Sequence, residues 1–273
     1  MIKITYVWHD CFVVGTDEAT LIFDYWKDPV SAPGAIPHFL KMADAGKPLY
    51  VFVSHSHKDH FNPEIFSWAL MFPGVKYVVS RDVMRRIRHV VSETSVYSGP
   101  KVDADAVVCL KSGEEWSDGV VKVAAFPSTD VGNSYVVETA GKRFFHSGDL
   151  NAWVWRDESD EKEINKALGD YHACLREIGR YLQPGDTPRN PSWIDYCFFP
   201  VDSRIGSGYY EGAAAFVREF DVRHFFPMHF GLGDAEEQKR HEHDAVKFEL
   251  YANRERGEYI ALTVPYVSYL DCC

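Results

Sequence analysis

The stretch that decides the fold is VFVSHSHKDHFNPEIF, residues 51–66. An apolar run ends there in His55, His57, Asp59 and His60. In an extended segment, side chains two residues apart point to the same side, so His55 and His57 can reach one point. Asp59 and His60 follow in the next turn and can reach a second point a few ångströms away. Imidazole nitrogen and carboxylate oxygen together suit zinc, manganese or iron. This density of ligands directly after a buried strand predicts a metal site.

Two later segments offer ligands by the same logic. FFHSGDLN (144–151) places Asp149 at a strand end, after a glycine that permits a tight turn. HFFPMHF (224–230) places His229 at the end of another strand. Each residue is weak evidence alone, but together they offer the ligands that a second ion needs.

The order of elements predicts an α/β fold. PLYVFVSH (48–55) is continuously apolar, as a strand buried on both faces should be. Asn62 and Pro63 predict the cap and the first residue of a helix. We further expect three early strands within residues 2–26, a hairpin that turns at 140–141 and a closing strand over 258–270. Helices are expected at 37–45, 82–91, 157–183 and 236–255. Helices covering two packed sheets in a single domain over 1–273 are the simplest interpretation.

Composition narrows the class of protein. With 29 basic and 40 acidic residues the formal net charge is −11, which repels polyanions, so we expect no nucleic-acid partner. The arginines of RDVMRRIRHV (81–90) are interpreted as a solvated helix face. No apolar run is long enough to span a membrane, and the N-terminus has no secretory signal pattern. We therefore expect a cytoplasmic protein, in which the six cysteines, none of them in a CxxC pair, are reduced.

Taken together, the HxHxDH motif at 55–60, the GD at 148–149 and the PMH at 227–229 resemble the metallo-β-lactamase superfamily. More narrowly, VFVSHSHKDHFNPEIF, STDVGNSYVVE, FHSGDLNAWVW and FPMHF resemble its metal-dependent hydrolases, with ascorbate-6-phosphate lactonases as more distant relatives. The resemblance extends from residue 2 to about 230. It implies a four-layer αβ/βα sandwich of two mixed β-sheets flanked by helices, with the metals at one edge between the sheets.

The resemblance also implies two divalent ions, zinc first, with manganese or iron as alternatives. His55 and His57 would hold the first ion. Asp59, His60 and His229 would hold the second, and Asp149 would bridge the two.

One position departs from the superfamily pattern. Where a histidine usually completes the first site, PSTDVGNS (127–134) carries Ser128, Thr129 and Asp130. Three interpretations of this replacement are open. Asp130 is an oxygen ligand, or water or a neighbouring histidine such as His9 fills the gap, or only the second site is firmly occupied.

The predicted chemistry is hydrolysis of a small-molecule ester, lactone, amide or phosphodiester by a metal-bound hydroxide. Asp59 or Asp149 would orient the hydroxide or pass a proton to the leaving group. Arg204 would bind an anionic substrate group or form a surface salt bridge, and Asp24 would orient a ligand histidine rather than bind metal. Aromatic residues near the metal loops would line the cleft or simply pack; they are Trp8, Tyr25, Trp26, Trp153 and Trp155.

Three other functions are considered. One is a phosphodiesterase or ribonuclease of the same fold, against which the acidic charge argues. A second is an iron-dependent redox protein, although the retained HxHxDH motif favours hydrolysis. The third is a binding or sensor protein without metal, which the intact motif disfavours.

Overall fold

In the part of the chain that the structure describes, two mixed sheets of seven strands each form the centre of the molecule. The computed structural model describes residues 1–31, 36–41, 43–44, 46–92, 94–182, 193–248 and 257–272. The strands are, in chain order, β1 (Ile2–Trp8), β2 (Cys11–Gly15), β3 (Thr20–Phe23), β4 (Leu49–Val53), β5 (Lys76–Ser80), β6 (Val107–Leu110), β7 (Glu115–Ser117), β8 (Lys122–Pro127), β9 (Asn133–Thr139), β10 (Lys142–His146), β11 (Trp193–Pro200), β12 (Asp221–Met228), β13 (Glu258–Tyr259) and β14 (Ser268–Asp271). The first sheet has the order β14-β1-β2-β3-β4-β5-β6, and the second β13-β12-β11-β10-β9-β8-β7.

Helices cover the outer faces of the sheets. They are α1 (His38–Lys41), α2 (Arg81–Val91), α3 (Glu161–Leu182), α4 (Glu211–Glu219) and α5 (Ala235–Lys247), with 3₁₀ helices at Pro63–Leu70, Ala104–Ala106 and Ser203–Ile205. Within the described residues, none of these helices is long and apolar enough to cross a membrane.

Strand β4 is buried on both faces, as its apolar run predicts. Tyr50 and Phe52 lie in the core between the sheets, whereas Val51 and Val53 lie in a second core beneath the helices. Aromatic rings join the two sheets directly, with the ring centroids of Phe12 and Phe198 4.6 Å apart. The alternation of strand side chains therefore builds the inner and outer layers from one continuous apolar segment.

The outer layers complete a four-layer sandwich. On one side, α2 buries Val83, Ile87 and Val90 and leaves its arginines exposed, as expected of a solvated helix face. On the other side, α3 buries Tyr171 and Ile178 against the second sheet. The predicted fold class, two mixed sheets flanked by helices, is confirmed.

Three predicted elements differ from those observed. The helix after Asn62 is a 3₁₀ helix, although Asn62 Oδ1 caps it by accepting from the Glu64 N–H as predicted. The predicted long helix begins at Glu161 rather than 157. Instead of one strand, residues 258–270 hold β13, paired with β12 in the second sheet, and lead into β14, paired with β1 in the first. Pro265, which cannot donate to a strand ladder, lies between them.

Two further predicted helices, 37–45 and 236–255, are observed at His38–Lys41 and Ala235–Lys247. Residues 42, 45 and 249–255 lie outside the described residues. The predicted hairpin turn is confirmed: Ala140 and Gly141 both have positive φ, 51° and 68°, as a tight two-residue β-hairpin requires.

Strand direction brings the polar loops together. β3 and β4 run parallel in the first sheet, and β10, β11 and β12 run parallel in the second. The carboxyl ends of parallel strands meet at one edge of a sheet, and residues that follow β3, β4, β10 and β12 contact one another at that edge. The side chains that follow these strands therefore form one cluster.

Candidate metal centre

The HxHxDH segment begins directly after β4. The backbone N–H of Ser56, between His55 and His57, donates to Asp82 Oδ2 over 2.8 Å. The next turn closes through a bond of 3.2 Å from His60 N–H to the His57 carbonyl. These bonds hold a compact loop that aims its histidines at the cluster.

Two glycines allow other loops to approach this segment. A Cβ at Gly132 would lie 2.2 Å from the Ser54 carbonyl oxygen and 2.4 Å from His55 Cβ. A Cβ at Gly148 would lie 2.7 Å from Ser54 Cβ. Both glycines also have positive φ. Only glycine therefore lets the loops carrying Asp130 and Asp149 lie against the β4 end.

Within the described residues, eight side chains form two groups of four potential ligands, and a third group, Asp24, His55 and His60, overlaps both. Within each group the ligand atoms lie within 4.8 Å of one another. The first group is His55, His57, Asp130 and Asp149; the second is His9, Asp59, His60 and His229. The six residues that the sequence suggested as ligands are thus brought together at one edge of the sandwich.

Asp149 lies between the two groups. Its Oδ2 lies 3.3 Å from His55 Nε2, and its Oδ1 lies 3.0 Å from His60 Nε2. The same Oδ1 lies 3.1 Å from His229 Nε2. One oxygen therefore faces each group, which is the arrangement that a bridging carboxylate needs.

Hydrogen bonds orient the three buried histidines. His60 Nδ1 donates to Asp24 Oδ2 over 2.8 Å, and His229 Nδ1 donates to Asp202 Oδ2 over 2.9 Å. A hydrogen on Nδ1 leaves the Nε2 lone pair of each ring free to bind a cation.

His55 is oriented through a serine. Ser54 Oγ donates to Asp24 Oδ2 over 2.5 Å, and it therefore accepts from His55 Nδ1 over 3.0 Å. Asp24 is thus linked to a histidine of each group, directly to His60 and through Ser54 to His55. This is the orienting position that the sequence suggested for Asp24.

The free ring nitrogens satisfy the main chemical requirement of a metal site. Within the described part of the chain, Nε2 of His55, His60 and His229 and Oδ1 of Asp149 are buried without a hydrogen-bond partner. Buried polar atoms are ordinarily satisfied, and a divalent ion would satisfy all of these at once. The donor set fits zinc, manganese or iron.

The electrostatics of the cluster favour bound positive charge. Burial opposes the charging of His60, but the neighbouring Asp149 and Asp10 carboxylates raise its pKa well above 6.5. Burial likewise raises the pKa of Asp149, but His60 and His229 hold it well below 3.8. The ionised carboxylates thus stabilise a proton or a metal ion at these nitrogens.

His9 lies in the second group and not beside His57, where a substitute for the superfamily histidine would be needed. Its Nδ1 accepts the backbone N–H of Gly231 over 2.9 Å. The hydrogen of the neutral ring is therefore on Nε2, which lies 3.0 Å from Asp10 Oδ2 and 3.6 Å from Asp59 Oδ2. Burial lowers the pKa of His9 to about 3, so the ring is neutral. An imidazole in this state presents a donor to the centre.

Asp130 lies beside His57 instead. Its Oδ2 is 3.5 Å from His57 Nδ1. Both side chains are partly exposed, 48% for His57 and 39% for Asp130, in contrast to the buried second group. Of the alternatives for the gap in the first site, this geometry favours an oxygen ligand from Asp130.

The backbone is strained around the cluster. Of the six non-glycine residues with positive φ in the described part of the chain, four belong to the site or its border: His9, Asp24, Trp153 and His229. Such conformations cost free energy and persist where the surroundings impose them, typically at functional sites.

Only some of the aromatic residues predicted to line the pocket lie at the cluster. Trp153 and Trp26 border the cluster, with ring centroids 5.5 Å from His229 and 5.6 Å from His9 respectively. Tyr25 is buried against Trp68, and Trp155 is exposed.

Arg204 forms its ion pair with the buried Asp202, the partner of His229, and not with a carboxylate at the surface. Its charge is therefore already balanced.

Sequence reasoning missed two carboxylates. Asp202 follows β11 as Asp24 follows β3, so the same strand-end signal could have identified it. Asp10 follows His9 in the turn between β1 and β2, is fully buried, and lies 3.3 Å from His60 Nε2. Burial raises the pKa of Asp10 to about 7.

Comparison with known proteins shows the family and the fold. The family model of the beta-lactamase superfamily domain matches residues 22–230. A search of curated proteins finds no match. Among solved structures, Igni18, a metallo hydrolase from the archaeon Ignicoccus hospitalis, is 17% identical with a TM-score of 0.57, and 99% of each chain is covered.

Two other solved structures have similar scores. YhfI, a metallo-β-lactamase fold protein from Bacillus subtilis, is 9% identical with a TM-score of 0.58, covering 99% of this chain and 100% of its own. CmlA, a diiron β-hydroxylase from Streptomyces venezuelae, is 14% identical with a TM-score of 0.60, covering 98% of this chain and 53% of its own. At these identities the likeness concerns the fold alone.

Proposed function

This chain belongs to the beta-lactamase superfamily, and from that premise we propose that it is a hydrolase that uses two divalent ions to cleave a small-molecule ester, lactone, amide or phosphodiester. His55, His57, Asp130 and Asp149 would hold the first ion. Asp59, His60 and His229 would hold the second, with Asp149 shared between the two. The resemblance to ascorbate-6-phosphate lactonases stays a prediction.

One observation carries this proposal. Within the described residues, the buried Nε2 atoms of His55, His60 and His229 have no hydrogen-bond partner, and each lies 3.0–3.3 Å from an oxygen of Asp149. Each ring is oriented from its Nδ1 side by a carboxylate or by a serine bound to one. Ordinary packing has no need for this arrangement, whereas a pair of cations does.

Bound divalent ions would supply a water of lowered pKa and would polarise the oxygen of the bond under attack. The chain's own groups complete the chemistry. Asp59, whose pKa His9 and His60 lower against the effect of burial, is an ionised carboxylate able to orient a nucleophile and accept its proton. His9 offers its Nε2–H to an oxygen that gains negative charge, as an uncharged donor in a buried site.

The donor set narrows the metal to zinc, manganese or iron. With His9 as a hydrogen-bond donor, each site would offer two imidazoles and two carboxylates, Asp149 being shared. Asp130 in place of the usual histidine adds oxygen to the first site and shifts its preference towards manganese or iron. The greater exposure of His57 and Asp130 makes the first site the weaker of the two.

The test is elemental analysis beside turnover. The purified protein should contain about two zinc, manganese or iron ions per chain and should hydrolyse chromogenic carboxylic or phosphate esters. Asp59→Ala should abolish turnover, and His60→Ala should lose one ion. His172→Ala, on the exposed face of α3, is the matched control and should change neither. Activity that survives the loss of both His55 and Asp59 would contradict the mechanism.

A second candidate is an iron-dependent oxidation. The carboxylate content of the cluster and the diiron centre named for CmlA support it. Iron as the bound metal, oxygen consumption with a reductant and no hydrolysis of any ester would favour this candidate over the hydrolase.

A further inference from the structure

Lys27 holds its ammonium group against two tryptophans at the border of the metal centre. Its Nζ lies 4.1 Å from the ring centroid of Trp26 and 5.2 Å from that of Trp8. Both distances are within the range of a cation–π interaction. The charge is thus held at a defined place rather than left on a freely moving side chain.

The two indole rings are themselves fixed to the site. The Trp26 ring lies edge-on to the His9 ring at 5.6 Å, and Asn62 Nδ2 donates to the Trp26 carbonyl over 2.9 Å. The Trp8 indole lies against Gly231, where a Cβ would come within 2.9 Å of Trp8 Nε1. Trp26 therefore contacts His9, and Trp8 contacts the loop that follows His229.

Lys27 has no anionic partner in the described part of the chain. No carboxylate lies within ion-pair distance of it, and burial alone lowers its pKa. The adjacent Asp28 is occupied, because its carboxylate accepts from Val30 N–H, Ser31 Oγ and His38 N–H. A half-buried and unpaired cation is unusual in a chain whose net charge is −11.

Arg204, another cation near the centre, is already engaged. Arg204 forms an ion pair with Asp202, and that carboxylate also holds His229. Arg204 is therefore a poor candidate for the anion-binding role that the sequence suggested. Lys27 keeps a free charge beside apolar ring faces.

We propose that Lys27, on the platform of Trp8 and Trp26, forms a subsite for a singly charged carboxylate of the substrate, beside the bond that the metal centre cleaves. This inference rests on the proposed hydrolase function. One ammonium is a point charge that balances the single charge of a carboxylate, whereas a phosphate monoester carries about −1.5 to −2 at neutral pH and would keep unbalanced charge. The indole faces would cover the apolar part of the substrate next to that carboxylate.

The first experiment measures kcat and KM for phenyl acetate and for its anionic analogue 4-acetoxybenzoate. The metal-loaded protein should prefer the anionic ester. Lys27→Met should lower this preference by about 10- to 100-fold, mainly through KM, because one charge-assisted contact is lost. Lys27→Arg should retain most of it. Lys76→Met, at the opposite end of the parallel strands, is the matched control. Melting temperatures verify folding.

The second experiment does not depend on turnover. Calorimetric titration should show benzoate binding more tightly than benzyl alcohol, with the difference lost in Lys27→Met. A preference for phenyl phosphate that depends on Lys27 would overturn the carboxylate assignment. Equal effects of Lys27→Met on neutral and anionic ligands would overturn the subsite. Absence of all hydrolysis of esters, lactones, amides and phosphodiesters would refute the proposed function, while the titration would still decide the subsite.

Discussion

The backbone N–H of Gly231 donates to Nδ1 of His9 over 2.9 Å and so places the ring hydrogen on Nε2, which faces the candidate metal centre. In this state His9 cannot offer a lone pair to the ions. Within the described residues its Nε2 has no hydrogen-bond partner, although two carboxylates lie nearby. The histidine is therefore a donor within a ring of ligands.

The first prediction tests whether His9 is a hydrogen-bond donor or a metal ligand. His9→Asn, which tolerates the positive φ of 58° at this position, should keep about two ions per chain and lower kcat by about 10- to 100-fold. The measurement is elemental analysis beside steady-state kinetics, with His60→Asn as the comparison. Loss of one ion in His9→Asn would show that His9 is a ligand after all.

Asp24 should affect the binding of both ions. It contacts His60 Nδ1 directly and reaches His55 through Ser54. Asp24→Asn should weaken binding of both ions by about 10- to 100-fold, as measured by competition with a chromogenic chelator. Ser54→Ala is the matched variant and should weaken only the first ion. Identical losses in the two variants would contradict the branched arrangement.

Asp130 should decide the occupancy and preference of the first site. Asp130→Ala should reduce the metal content from about two ions to about one, because His57 then lacks its carboxylate neighbour. Asp130→His should restore the ion of the first site and shift the preference of that site from manganese or iron towards zinc. A metal content of two ions in Asp130→Ala would show that Asp130 is not a ligand.

Metal ions should stabilise the protein more at alkaline pH. The pKa of His60 and of His229 is raised above 6.5 in the metal-free protein. Protonation of these rings therefore stabilises the metal-free fold fully below pH 6.5, and this contribution is lost as pH rises through the raised values. The depressed pKa of Asp149 is crossed only in acid and does not contribute to this change.

The measurement is thermal melting with and without added metal at about pH 6 and about pH 9. The increase in melting temperature on metal addition should be larger at the higher pH by several degrees, since about 1 kcal/mol corresponds to roughly 2–4 °C in a chain of this size. An equal increase at both values, with ion saturation verified, would contradict the proposed competition between protons and metal.

Local patterns predicted most of the fold because they depend on neighbours along the chain. The apolar run of β4, the Asn62 cap and the hairpin at Ala140 and Gly141 are each determined within a few residues, and each is observed. The prediction of a single closing strand over residues 258–270 was wrong because strand pairing is not local. β13 and β14 belong to different sheets, although one apolar stretch suggested a single strand.

The sequence by itself determined the kinds of ligand and their spacing, since His55, His57, Asp59 and His60 lie within one turn after a buried strand. Only the tertiary structure decided how they are used. Asp10 joins the cluster from a neighbouring loop of the first sheet and Asp202 from a neighbouring loop of the second. The Gly231 backbone determines which nitrogen of His9 carries its hydrogen. The physical reason is that metal binding depends on distances of a few ångströms between atoms from different loops, and packing of the two sheets alone sets those distances.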